Sequence, residues 1–149
     1  MQIVTTAPFG EQMTADDILQ VMQDLHGWEE KYRQLLQWGK QLPAMPESLK
    51  SDEIMVSGCE SRVWLLAQQR EGLWFFAADS DARIIRGLIG VIMAACQGKT
   101  SAEINAFDMA HYFQQLNLLS HLSPTRGNGI RAIVSQIKAL TQTQTESLI

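Results

Sequence analysis

Cysteine is scarce in this sequence, with Cys59 and Cys96 the only two. That excludes the disulfide framework of a small secreted domain, and the two lack the paired spacing of a zinc site. Histidine is scarce as well: His26, His111 and His121 are scattered and form no H-E-x-x-H pattern, so no bound metal is expected. No apolar run of about 18 residues or more occurs, and the longest apolar block, Leu88 to Cys96, contains Gly90 and is too short to span a bilayer. The start, Met1 to Gly10, lacks the basic region and apolar run of a signal peptide, so a cytoplasmic protein with no membrane partner is expected. A basic excess is also missing. With 12 Lys and Arg against 16 Asp and Glu, the net charge is -4, which speaks against nucleic acid as a ligand.

What is present is the composition of an ordinary globular chain, 46% hydrophobic and 19% charged over 149 residues. One domain of that size buries roughly two-thirds of the surface its unfolded form exposes. A single domain over 1–149 is expected, loose at 1–12 and 142–149. Thr14-Ala15-Asp16-Asp17 reads as a helix opening, followed by Ile18, Leu19, Met22 and Leu25 at helical spacing. A second helix runs from Trp28 to about Gln41 and ends at Pro43 and Pro46. The period then shortens. Glu53 to Ser57, Ser61 to Gln69 and Leu73 to Ala78 alternate as strands do, which predicts a three-stranded antiparallel meander with Gly58-Cys59-Glu60 in its first turn and Glu71-Gly72 in its second. Asp79-Ser80-Asp81 reads as a cap for a buried central helix from Ala82 to Gln97. Thr100 to Glu103 offers a capping box, Ala110 to Leu116 a short amphipathic helix, and Ser123-Pro124 opens the last helix.

Cys59 is the leading candidate for chemistry because it lies at a loop tip, between a glycine that permits unusual backbone angles and the polar Glu60 and Ser61. Position alone leaves two readings, a small residue filling a turn or a nucleophile. A nucleophilic cysteine works as its thiolate, which nearby cations favour. Arg62 is local; Arg83, Arg86 and Arg126 approach only through the fold. Arg126 follows the Ser123-Pro124 helix start, where the helix dipole does not favour a cation, so it reads either as a solvated charge or as a residue with another task. His121 reads as a connector histidine or a proton-transfer group. Cys96, beside Ala94 and Ala95 in the apolar helix, reads as a small hydrophobe. The four tryptophans lie on periodic segments and suit core or sheet faces better than base stacking.

Ile54-Met55-Val56-Ser57-Gly58-Cys59-Glu60-Ser61-Arg62-Val63-Trp64 resembles the G-C-[EQ]-[SN]-x-V-W signature of the SufE/CsdE family of sulfur acceptors. Trp28 to Tyr32 with Gly39 to Pro43, Asp79 to Ala82 with Gly87-Leu88, and His121 to Arg126 with Gly129 resemble further blocks of that family, in its order. Lys31 to Leu35 and Arg62 to Leu65 look closer to the CsdE branch. The resemblance implies an α+β fold, a short antiparallel sheet packed with helices, similar to IscU-type scaffolds. It implies Cys59 as the sulfur-accepting residue, with Glu60, Arg62, Asp81, His121 and Arg126 in support; Asp81 matches an acidic position tied to the behaviour of the loop, and Arg126 an arginine near the site. The implied partners are a cysteine desulfurase of the CsdA/SufS type, whose pyridoxal phosphate (PLP) is the desulfurase's own, and a downstream sulfur acceptor in iron-sulfur cluster assembly or another sulfur-transfer route. No cofactor is expected on this chain. The scaffolds' second and third cysteines are missing, which argues against cluster assembly on the chain itself. The further expectation is that the Cys59 loop is partly buried in the free protein and swings out on docking. Two alternatives stay open: a partner that stimulates a desulfurase allosterically without carrying sulfur, and a small cysteine-based thiol enzyme, for which no base beside Cys59 is visible.

Overall fold

A computed structural model describes residues 8–58 and 60–146, with side chains described as far as Gln142. The architecture is α+β: one antiparallel hairpin with helices packed about it. Helix α1 (Ala15–Gln23) opens on a capping box in which the Thr14 hydroxyl accepts from the Asp17 N–H while the Asp17 carboxylate accepts from the Thr14 N–H. Helix α2 (Trp28–Gln41) follows. Strands β1 (Val63–Arg70) and β2 (Leu73–Ser80) pair from Val63 opposite Ser80 to Arg70 opposite Leu73. Their two-residue turn, Glu71-Gly72, has positive φ at both positions, the backbone twist that two-residue hairpins require. Then come α3 (Arg83–Cys96), α4 (Ser101–Ala106), α5 (Met109–Leu116) and α6 (Pro124–Glu146). No helix among the described residues is long and apolar enough to cross a membrane.

Helix α3 is the centre of the core: every residue from Gly87 to Gln97 is buried. It packs on α2 with the backbones in direct contact, because a Cβ on Gly87 would lie 2.0 Å from the Leu35 carbonyl oxygen and one on Gly39 2.8 Å from the Arg83 carbonyl oxygen. Its far end closes the free edge of β2. The Gln97 amide accepts from the Phe76 N–H at 2.6 Å and donates to the Phe76 carbonyl at 3.0 Å, imitating a neighbouring strand, and Trp74 continues the edge with Lys99 and Gly98. Phe9, inside the stretch expected to be loose, is fully buried in this core, with its ring over Gly90.

The expected third strand is not formed. Asp52–Ile54 makes a turn of 3-10 helix, and only a single bridge, Met55 to Trp64, with the Val56 N–H donating to the Val63 carbonyl at 2.8 Å, remains of the pairing. Ile54 and Met55 instead join Met45 and Leu49 in a strap over the outer face of the hairpin, where they cover Trp64, Leu66 and Ala77 in a small cluster separate from the main core. Burial against a face, with the backbone free to turn, wins here over the two-residue alternation.

Asp79 sits under this strap, 1% exposed. Its carboxylate accepts from the Met45 N–H at 2.9 Å and from the Ser80 N–H at 2.7 Å, lies 3.5 Å from Lys50 Nζ, and is paired with the Arg86 guanidinium. Arg86 also donates to the carbonyls of Gly39 and Leu42, which caps the end of α2. The reading of 79–81 as a helix cap is therefore corrected. The N-cap of α3 is Ala82, which has no capping side chain: Asp79 turns to the strap and Arg86, Asp81 to Arg62, and the Ser80 hydroxyl donates to the Arg62 carbonyl while accepting from the Ala82 N–H at 3.2 Å, just ahead of the helix.

Candidate functional site

Cys59 lies outside the described residues, and so does the expectation that its loop is partly buried; the chain on either side of it is described. The stem is held at both ends. On the entering side the Val56 N–H donates to the Val63 carbonyl. On the leaving side the Arg62 carbonyl accepts from the Ser80 hydroxyl at 2.7 Å and from the Asp81 N–H at 3.3 Å, while the Arg62 N–H donates to the Asp81 carboxylate at 3.1 Å. A side-chain ion pair, Arg62 Nε to Asp81 at 3.4 Å, completes the clasp. Both side chains are largely exposed, so the pair itself contributes little and the backbone bonds hold the stem. Gly58 adopts φ 91°, a conformation that favours glycine, and stands near Ala132 of α6.

A small cleft of about 20 Å³, room for one water-sized group, opens beside the stem. It is lined by Glu60, Ser61 and Val63 from the stem, Ile85 from α3, and Thr125, Arg126, Gly129 and Ile133 from α6. The Ser123 hydroxyl accepts from the Arg126 N–H at 3.3 Å and opens α6, so the positive end of that helix and Arg126 lie at the same cleft as Glu60 and Ser61. In general a cation or a helix N-terminus beside a thiol lowers the cost of a negative charge on its sulfur.

Glu60 and Arg126 are thus brought together at one cleft, and Arg62 and Asp81 meet at the stem. His121 is not in the group: its ring stacks on Trp28, centroids 5.2 Å apart and planes 13° from parallel. Ser80, which holds the Arg62 carbonyl, was not singled out from the sequence; the available signal was a hydroxyl between two aspartates at a strand-to-helix junction. Among the described residues no group of three or more His, Cys, Asp or Glu is placed to hold a metal ion.

Cys96 is the contrasting thiol, 2% exposed, and burial pushes it from 9.0 up to about 12. Below about pH 9 both folded and unfolded states keep this proton, and its full stabilising contribution is present. Between about 9 and 12 the unfolded state loses the proton first, so stability falls as pH rises, by up to about 1.4 kcal/mol per pH unit. Urea unfolding at about pH 8 and about pH 11 is expected to show the native chain losing about 2–3 kcal/mol more than Cys96→Ala over that interval. Equal losses in the two chains would mean that Cys96 titrates as an accessible thiol.

Known proteins resemble this chain in sequence and in fold. Residues 16–141 match the family model described as SufE, Fe-S metabolism associated domain. The chain is 42% identical over 136 residues to the sulfur acceptor protein CsdE of Escherichia coli (strain K12), covering 91% of this chain and 92% of that one. It is 38% identical over 128 residues to an uncharacterized SufE-like protein of Rhizobium meliloti (strain 1021), covering 83% and 91%. In three dimensions it resembles the solution structure of a hypothetical protein from Thermus thermophilus, with a TM-score of 0.70 at 15% identity over 87% of this chain and 93% of that one, a likeness of fold. On the breadth of these matches, and with the Gly58 to Trp64 motif on the stem just described, the chain belongs to the SufE family, in its CsdE branch.

Proposed function

We propose that this protein accepts sulfur from a PLP-dependent cysteine desulfurase of the CsdA/SufS type onto Cys59 and passes it on, toward iron-sulfur cluster assembly or another sulfur-transfer route. The observation that supports the reading is the clasped stem on either side of position 59, whose Glu60 shares a cleft with Arg126 near the start of α6, in a chain 42% identical to a protein named as a sulfur acceptor. The Cys59 thiolate attacks the outer sulfur of the desulfurase persulfide. A new S–S bond forms on Cys59, the S–S bond on the desulfurase breaks, and the desulfurase cysteine leaves as a thiolate. No net oxidation or reduction occurs. Arg126 and the α6 N-terminus favour the anionic attacking and product sulfurs, while Ser80, Asp81 and Arg62 fix the base of the loop that presents them. No step is assigned to His121.

The test is intact mass after incubation with a cysteine desulfurase and L-cysteine. The native chain and Cys96→Ser are expected to gain one sulfur atom, and Cys59→Ser none. A native chain that binds and stimulates the desulfurase without gaining sulfur would overturn the carrier role and leave an allosteric partner in its place.

A further inference from the structure

The carrier reading accounts for the cleft between the stem and α6; it leaves a second crevice without a task. On the other flank of α3, a crevice of about 180 Å³ lies between α2 and α3, lined by Leu36, Gly39, Lys40, Arg83 and Arg86. Three of these five residues are cationic and none is acidic, in a chain of net charge -4. Arg86 is committed to Asp79 and the carbonyls of Gly39 and Leu42. Lys40 and Arg83 are exposed and have no ion-pair partner among the described residues. Arg83 stands at the first turn of α3, which has neither a capping side chain nor an acidic residue, so its charge lies where the helix dipole is already positive, while Lys40 faces the crevice from the last turn of α2. Arg86 serves Asp79 and Lys40 suits the negative end of α2, but folding gives no reason for Arg83, and a counter-charge from outside the chain relieves it.

We propose that this crevice receives an acidic segment of the cysteine desulfurase, whose carboxylates pair with Lys40 and Arg83; the inference rests on the carrier reading above. The geometry supports a protein partner. Ile85 lines the cleft beside the Cys59 stem while Arg83 and Arg86 line the crevice, so the two openings flank the same turn of α3. A helix is only about 10–12 Å across with its side chains, and even a modest interface covers about 800 Å² on each partner. A protein that closes over the cleft therefore also covers the crevice. The apolar floor at Leu36 suits the methylene stem of a glutamate or aspartate, and the two cations suit its head.

The experiment measures initial rates of sulfur transfer to this chain across desulfurase concentrations, for the native chain and for the double variant Lys40→Glu, Arg83→Glu. The expected result is a rise in KM of about tenfold with kcat within about twofold, because charges at the rim of an interface act chiefly on encounter. Added salt is expected to weaken the native pair and leave the reversed variant nearly indifferent. The conservative Lys40→Arg, Arg83→Lys variant is expected to behave as the native chain, and thermal unfolding of all three chains to agree within a few degrees. An unchanged KM in the reversed variant, or a fall in kcat alone, would overturn the inference. Binding measured in a Cys59→Ser background separates it from the carrier reading: charge reversal must weaken that binding whether or not sulfur moves.

Discussion

Asp79→Ala is expected to lose about 3–5 kcal/mol of folding stability, the cost of leaving a buried charge without its partner. The removed carboxylate accepts the Met45 and Ser80 N–H groups and balances both Arg86 and Lys50 from a position 1% exposed. Without it, Arg86 remains part-buried beside two carbonyls, and the strap loses its hydrogen-bonded anchor to β2. With a urea slope of about 2 kcal/mol per molar, the unfolding midpoint drops by about 2 M, a large share of the roughly 5–15 kcal/mol that such domains possess. The loss is expected to shrink when the same change is made in an Arg86→Met background, since the orphaned charge is then gone too. A drop below about 1 kcal/mol would show instead that the network behaves as an exposed surface pair.

Gly87→Ala is the second large effect, and it is steric. The new methyl would stand 2.0 Å from the Leu35 carbonyl oxygen and 2.7 Å from its carbon, so backbone must move, and α2 and α3 have to separate along the seam that organises the core. Overpacking a core costs about 1–3 kcal/mol when side chains yield, and with backbone as the obstacle about 3 kcal/mol or more is expected. Thermal unfolding would then fall by roughly 10 °C. Gly127→Ala supplies the opposite sign. There an added methyl meets only the Arg131 guanidinium at 3.6 Å, on an ordinary helical backbone in α6, and a gain of about 0.5–1 kcal/mol is expected. If the two alanines had the same effect, helix propensity and not contact would be deciding both.

Most of the helical frame was legible in the sequence because its signals are local. Thr14 opens α1 and Thr100 closes the capping box read from its spacing, α2 ends at Gln41 just ahead of Pro43, and the apolar run from Leu88 to Cys96 lies in the buried helix it suggested. The third strand was misread because Glu53 to Ser57 is too short for alternation to separate a strand from a strap whose apolar side chains merely cover a face. Asp79 was misread for a different reason: its partners lie 34 residues before it and seven after it, a juxtaposition no spacing rule encodes. The site divides the same way. The motif around Cys59 and the helix start at Arg126 could be read as pieces, whereas their meeting across one cleft, the Arg62–Asp81 clasp and the departure of His121 to Trp28 are products of the tertiary fold.

The separate cluster beneath the strap divides the molecule into units that need not come apart together. Detaching residues 45–55 exposes Trp64, Leu66 and Ala77 on the outer face of the hairpin, yet leaves α3 and everything packed on it in place. Such a partial opening costs less than global unfolding, because the apolar area it surrenders is a small part of the whole. Residues 45–55 therefore belong to a shallower cooperative unit than the helices behind them, and the chain rejoins the main core at Val56, three residues before position 59. The strap can thus rearrange locally while the main core stays closed.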